Sequence, residues 1–106
     1  DEVVDEQLID RYYELVQFPG NMSAFPKRVK ADLDTNSAAI KEVTVPTLIQ
    51  WGEEDKYFPV KRAHDFHEDI KGSRLVTYNE VGHLPMEEVA GKSVADFMGL
   101  IGALSL

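Results

Sequence analysis

The sequence predicts an α/β fold with two parallel strands, a crossover helix between them and C-terminal helices, preceded by a segment of two helices. Apolar residues recur at helical spacing in the first third of the chain, and two short apolar runs follow, each succeeded by a helical pattern. A polar break over residues 34–37 separates the two patterns. We therefore expect two parts, a helical segment over residues 1–37 and a strand–helix–strand–helix part over residues 38–106.

The first part is predicted to form two amphipathic helices. The apolar face of the first consists of Leu8, Tyr12, Leu15 and Val16, and Pro19 with Gly20 ends it. The apolar face of the second consists of Met22, Phe25, Val29 and Leu33. We expect Ser23 to cap this second helix, which leaves Pro26 in a first turn where its missing N–H is harmless.

The second part begins with a predicted strand over residues 45–52, which ends at Gly52. Pro46 is expected at the first position of the strand, where a hydrogen bond to the neighbouring strand is not yet required. A helix is predicted to start at Pro59 and to stop at residues 71–72. Its apolar positions are Ala63, Phe66 and Ile70. A second strand over residues 74–78 leads into a loop over residues 79–85, and the last helix carries Val94, Phe97 and Ile101.

Composition excludes several classes of function. The chain has 11 basic and 19 acidic residues, a formal charge of −8, so it repels nucleic acids and anionic membrane surfaces. It has no cysteine, which excludes disulfides, thiolate catalysis and thiolate metal sites. Its most apolar stretch, residues 94–106, is too short to span a bilayer and contains Asp96. We expect a cytoplasmic protein, and the initial Asp1 suggests a piece of a longer chain.

Two residues that can carry chemistry follow the two predicted strands. Asp55 comes after the first strand and His83 after the second. Because neighbouring parallel strands lie about 5 Å apart and open into loops at the same edge of the sheet, the carboxylate can reach the imidazole. A carboxylate on one ring nitrogen fixes the tautomer and stabilises the imidazolium that forms when the other nitrogen takes a proton.

Residues 43–106 resemble the C-terminal portion of the α/β-hydrolase superfamily. Residues 51–59 match its acid motif, W-G-x-x-D-x-x-x-P, and residues 82–88 match its histidine motif, G-H-x-P-x-x-E. The resemblance implies that Asp55 and His83 are the acid and the histidine of a catalytic triad that hydrolyses an ester or a related bond. It implies no metal and no organic cofactor. Residues 12–21 are similar, more weakly, to the end of the helical cap that many members carry.

The nucleophile elbow of this family, usually G-x-S-x-G, does not occur in these 106 residues. The nearest match is residues 91–95, where we interpret Ser93 as a helix cap. We therefore expect the nucleophile and the oxyanion hole, and with them the binding of a small-molecule substrate, to require a missing N-terminal part. An alternative is a non-catalytic interaction or scaffold piece, which associates with that part or with itself because its strand edge and apolar faces lack cover. A third is an unrelated doubly wound binding domain.

Other polar and aromatic residues have simpler interpretations. The carboxylates competing with Asp55 are Glu53, Glu54 and Glu80, and the family pattern places the acid at Asp55. His64 and His67 share a charged helix without an evident third ligand, so we do not predict a metal site. Trp51 is interpreted as a core residue. Glu87 and Glu88 are assigned a structural role, capping the next helix or holding the histidine loop.

Overall fold

The computed structural model describes residues 3–32 and 37–104. The chain divides into two compact units, Asp1–Ser37 and Ala38–Leu106. The assignment of the first unit to the end of a cap stays a prediction. Within the described ranges, no helix combines the length and the apolarity needed to cross a bilayer.

The first unit consists of two helices, α1 (Glu6–Gln17) and α2 (Asn21–Asp32). Asp5 caps α1, because its Oδ1 accepts the N–H of Leu8 at 2.8 Å. A turn with Gly20 at φ +91° separates the helices, a conformation that suits glycine.

The start of α2 corrects two expectations. Ser23 is not the cap, since α2 begins two residues earlier and the Ser23 Oγ donates to the carbonyl of Gly20 at 3.0 Å. That carbonyl also accepts the N–H of Ala24 at 2.9 Å, so the helical hydrogen bonds already start at Gly20. Pro26 accordingly lies inside the helix rather than in its first turn, and one hydrogen bond of the helix is not made. Leu33 lies outside the described residues.

The second unit begins with a 3₁₀ helix and continues as a two-stranded parallel sheet with helices. The elements are the 3₁₀ helix (Ser37–Glu42), β1 (Leu48–Gly52), α3 (Lys61–Asp69), β2 (Arg74–Tyr78), α4 (Pro85–Glu88) and α5 (Ala90–Ala103). The 3₁₀ helix was not predicted, because six residues are too few to show a period. The strands are paired in register from Leu48 opposite Arg74 to Gly52 opposite Tyr78.

The predicted strand started too early. Pro46 lies two residues before β1 rather than at its first position. The carbonyl of Thr47 accepts the N–H of Arg74 at 2.9 Å, which is the first link between the two strands. Proline has no N–H to extend the ladder backwards. Pro59 likewise lies two residues before α3.

Helices α3 and α5 cover opposite faces of the sheet. Trp51 of β1 contacts Phe66 of α3, with ring centroids 6.2 Å apart, whereas the adjacent Gln50 is hydrogen-bonded to Ser93 of α5. Successive side chains of a strand point to opposite faces, so the two helices lie on opposite sides. The buried apolar residues of the described chain are Ile49, Ala63, Ile70, Tyr78 and Val81.

Ser93 does not cap α5, contrary to expectation. It is the fourth residue of the helix and only 5% exposed, and its own N–H donates to the carbonyl of Val89 at 2.9 Å. Its Oγ donates to Gln50 Oε1 at 3.0 Å, and its carbonyl accepts from Gln50 Nε2 at 2.8 Å. This two-way contact attaches α5 to β1.

The apolar side chains that the last helix was predicted to carry are largely exposed. Val94, Phe97 and Met98 are exposed in this structure, and Ile101 is half-buried. The contact between α5 and the sheet therefore relies on polar groups of Ser93, Gln50, Tyr78 and Asp96 more than on an apolar stripe.

Candidate active site

Asp55 follows β1 and lies in a turn that its own side chain holds. Its Oδ1 accepts the N–H groups of Tyr57 at 2.8 Å and of Phe58 at 2.9 Å. Such side-chain-to-backbone bonds are typical of aspartate at a turn, and here they fix the direction of the carboxylate. The other oxygen, Oδ2, is thereby left to a partner outside the turn.

That partner is His83, which follows β2. Its Nδ1 lies 2.8 Å from Asp55 Oδ2. The Asp55 side chain is 4% exposed and that of His83 is 43% exposed, so the acid is enclosed and the imidazole is accessible. An ionised carboxylate only accepts hydrogen bonds, so Nδ1 carries the proton and Nε2 is the basic nitrogen of the neutral ring.

The electrostatics of Asp55 favour its ionised form. Burial raises the pKa of this carboxyl, but the hydrogen bonds from His83, Phe58 and Tyr57 together lower it by more. The net pKa therefore lies below its ordinary value of 3.8. The carboxylate is therefore charged at neutral pH and can stabilise a protonated ring at His83.

Backbone contacts bring the two loops together. The N–H of Glu53 donates to the carbonyl of Tyr78, and that of Glu54 to the carbonyl of Val81, both at 2.9 Å. Gly52 meets the backbone of residues 81–82 so closely that no Cβ fits there. The loop that contains Asp55 (the acid loop) and the loop that contains His83 (the histidine loop) thus contact each other directly at the carboxyl edge of the sheet.

Two aromatic rings flank the imidazole. The centroids of Tyr57 and Phe58 lie 5.3 Å and 5.6 Å from that of His83. The carbonyl of Phe58 accepts the indole N–H of Trp51 at 3.0 Å, which ties this segment back to β1. Sequence reasoning missed both rings, although their place two and three residues after the acid was the available signal.

The competing carboxylates lie elsewhere. Glu53, Glu54 and Glu80 are exposed, and Glu53 Oε1 accepts the hydroxyl of Thr77 at 2.8 Å. Glu88 behaves as its assigned structural role requires, because it accepts the N–H of Gly82 at 3.0 Å and that of Leu84 at 3.2 Å.

The histidines of α3 do not assemble with other ligands. His67 Nδ1 lies 2.9 Å from the buried Ser73 Oγ, and His64 is exposed. Across residues 3–32 and 37–104, no cluster of three or more His, Cys, Asp or Glu side chains is arranged to hold a metal ion.

No family model matches the chain, but individual proteins do. It is 30% identical over 102 residues to the uncharacterized hydrolase YugF of Bacillus subtilis (strain 168), covering 91% of this chain and 37% of that protein. It is 26% identical over 97 residues to a 2-hydroxy-6-oxononadienedioate/2-hydroxy-6-oxononatrienedioate hydrolase of Cupriavidus pinatubonensis, covering 89% and 32%. It is 26% identical over 69 residues to lipase 3 of Moraxella sp., covering 65% and 22%.

Among solved structures, the serine hydrolase of carbazole degradation, the CarC enzyme, superimposes with a TM-score of 0.82 at 24% identity. The match covers 94% of this chain and 41% of that one. The chain thus spans well under half the length of the relatives it matches. With its parallel strands and the contact between the loops that follow them, the chain is related to hydrolases and has the fold of part of an α/β serine hydrolase.

Proposed function

We propose that this chain supplies the acid and the base of a nucleophile–histidine–acid triad in an α/β-fold hydrolase. The observation that carries the proposal is the 2.8 Å contact between the enclosed Asp55 carboxylate and the accessible His83 ring. Asp55 orients the ring and stabilises its protonated form, and His83 acts as general base and then as general acid.

The proton transfers follow from the tautomer. With a serine nucleophile, His83 Nε2 takes the hydroxyl proton as the oxygen attacks the substrate carbonyl, and then returns it to the leaving group. A water molecule repeats the cycle on the acyl-enzyme. With an aspartate nucleophile, Nε2 instead takes a proton from the water that hydrolyses the ester intermediate.

The nucleophile belongs, in this proposal, to an N-terminal part that precedes the chain. The serines whose side chains the structure describes, Ser23, Ser73 and Ser93, are hydrogen-bonded to groups other than His83. The matched relatives are longer, with this chain covering 37% and 32% of two of them. That part would also supply the oxyanion hole and most of the pocket for a small-molecule substrate.

The same N-terminal part would cover surfaces that the chain leaves open. In the described residues β1 pairs with β2 alone, which leaves its outer edge without a neighbouring strand. The exposed apolar residues of α5, Val94, Phe97 and Met98, add to this surface. We further propose that residues 1–37 are the end of a cap belonging to this assembly.

The test is an ester-hydrolysis assay with p-nitrophenyl esters on the complete gene product and on the 106-residue chain. We expect turnover from the complete protein, a loss of about 10³-fold or more in His83→Gln and in Asp55→Asn, and no turnover from the chain alone. His64→Gln, an exposed histidine on α3, is the matched control and should leave the rate unchanged.

Two results would overturn the proposal. One is full activity of the complete protein after His83→Gln. The other is robust activity of the chain alone that disappears in Ser93→Ala. A complete protein without turnover on any ester tested would favour the non-catalytic interaction piece instead.

A further inference from the structure

We propose that Glu88 is a positioning residue that sets the orientation of His83 by holding the peptide groups on both sides of it. The inference rests on the proposed role of His83 as the base. Glu88 Oε1 accepts the N–H of Gly82 at 3.0 Å, and Oε2 accepts the N–H of Leu84 at 3.2 Å. One carboxylate thus binds the residue before and the residue after the histidine.

The short helix α4 makes this contact rigid. The backbone N–H of Glu88 donates to the carbonyl of Leu84 at 2.9 Å, while its carboxylate accepts the N–H of the same residue. Glu88 therefore binds Leu84 through both its main chain and its side chain. Pro85, buried at the start of α4, further limits the backbone at this point.

The rest of the histidine loop is held from the acid loop. The carbonyl of Val81 accepts the N–H of Glu54 at 2.9 Å, and Gly82 lies against Gly52. Residues 81, 82 and 84 are thus each fixed by a contact, and together they define the direction in which the Cα–Cβ bond of His83 points. Asp55 then fixes the rotation of the ring, so the two carboxylates have separate tasks.

A carboxylate is the side chain that this task requires. Two N–H donors need two acceptor oxygens, and the negative charge of the carboxylate strengthens each hydrogen bond. Glutamine offers one oxygen and one NH₂ group, and the latter would face an N–H donor. Gly82 contributes by its lack of a side chain, since a Cβ there would lie 3.2 Å from Oε2.

The experiment compares Glu88→Gln with Glu68→Gln, the same loss of charge at an exposed position of α3. The readout is the exchange rate of the His83 Nδ1–H with water, measured by NMR on the 106-residue chain. In Glu88→Gln we expect this exchange to accelerate at least about tenfold, because the ring no longer stays aligned with Asp55. In Glu68→Gln the exchange should stay at the rate of the unmodified chain.

A folded Glu88→Gln variant with unchanged His83 exchange would overturn the inference. If Glu88→Gln does not fold, the test is the hydrogen exchange of the Gly82 and Leu84 amides in the unmodified chain. Slow exchange of both amides supports the inference, and exchange as fast as in an unstructured peptide overturns it. These readouts need no turnover, so they can fail while the His83→Gln assay succeeds, and the reverse also holds. A loss of stability alone, without a change at His83, would count against a positioning role.

Discussion

Gly52, the last residue of β1, lies directly against the backbone carbonyl of Gly82, the residue before His83. A Cβ at Gly52 would clash with that oxygen and would also lie 2.7 Å from the carbonyl carbon of Val81. The close approach of the acid loop to the histidine loop therefore depends on a missing side chain at the strand end.

Replacing Gly52 by alanine should separate the two loops. The new Cβ meets main-chain atoms that cannot rotate away, so we expect the free energy of unfolding to fall by about 1–3 kcal/mol. The measurement is urea unfolding, together with loss of the His83 Nδ1–H signal. Gly91→Ala is the control, because a Cβ there meets nothing within 4 Å and alanine favours the α5 helix. Equal stability of the two variants would contradict the prediction.

Acidification should weaken the fold through Asp55. Burial raises the pKa of this carboxyl, but the hydrogen bonds from His83 and the two turn amides outweigh it and lower the pKa. A carboxyl whose pKa is lower in the folded than in the unfolded protein stabilises the fold above its ordinary pKa, and this contribution is lost as the pH falls through the folded-state pKa. For Asp55 the free energy of unfolding should therefore fall below about pH 4. In Asp55→Asn this decrease at acid pH, the acid limb of the stability curve, should be less steep. The measurement is the free energy of unfolding at stepwise lower pH.

The control for the acid limb is Asp65→Asn. Asp65 is paired with Lys61 at 3.0 Å on the exposed surface of α3, where an ion pair contributes little. An acid limb that is as steep in Asp55→Asn as in the unmodified chain would contradict the prediction.

Alkaline conditions should weaken the fold through Tyr78. Burial, together with the 2.6 Å hydrogen bond that its hydroxyl donates to Asp96, raises the pKa of this phenol to about 12. A raised folded-state pKa contributes stability below the ordinary value of 10.0 that is lost as the pH climbs to the folded value. The free energy of unfolding should therefore fall between about pH 10 and 12. Tyr78→Phe should lack this component, whereas Tyr57→Phe, at an exposed phenol, should keep it.

Ser93 should prove a structural residue. Ser93→Ala removes the hydroxyl that donates to Gln50 Oε1 at 3.0 Å in a partly buried contact, and an acceptor left unsatisfied there costs about 1 kcal/mol. Thermal unfolding should show this loss, with esterase activity of the complete protein retained at temperatures where the variant is folded. Ser23→Ala, at an exposed serine, should change stability by less than about 0.5 kcal/mol. A variant of unchanged stability but without activity would contradict the prediction.

The sequence predicted the contact between Asp55 and His83, because the placement of both residues follows from local order. Asp55 and His83 each lie in the loop that follows a strand, and parallel strands joined by a crossover must end at the same edge. The parallel pair of strands and α3 were predicted for the same reason, since each is defined by a short run of its own residues. The strand predicted over residues 45–52 began three residues too early and the helix predicted from Pro59 began two residues too early, because proline marks a boundary without saying which hydrogen bond comes first.

Tertiary structure alone decided the roles that depend on distant partners. Ser93 has the sequence context of a helix cap, yet its partner, Gln50, lies 43 residues earlier, and no local pattern encodes that pairing. Glu88 is visible at a fixed spacing from His83, but only the folded loop shows that its two oxygens bind the amides on both sides of the histidine. Local order along the chain thus determines which groups reach the sheet edge, whereas hydrogen bonds between elements far apart in sequence determine how each group is held there.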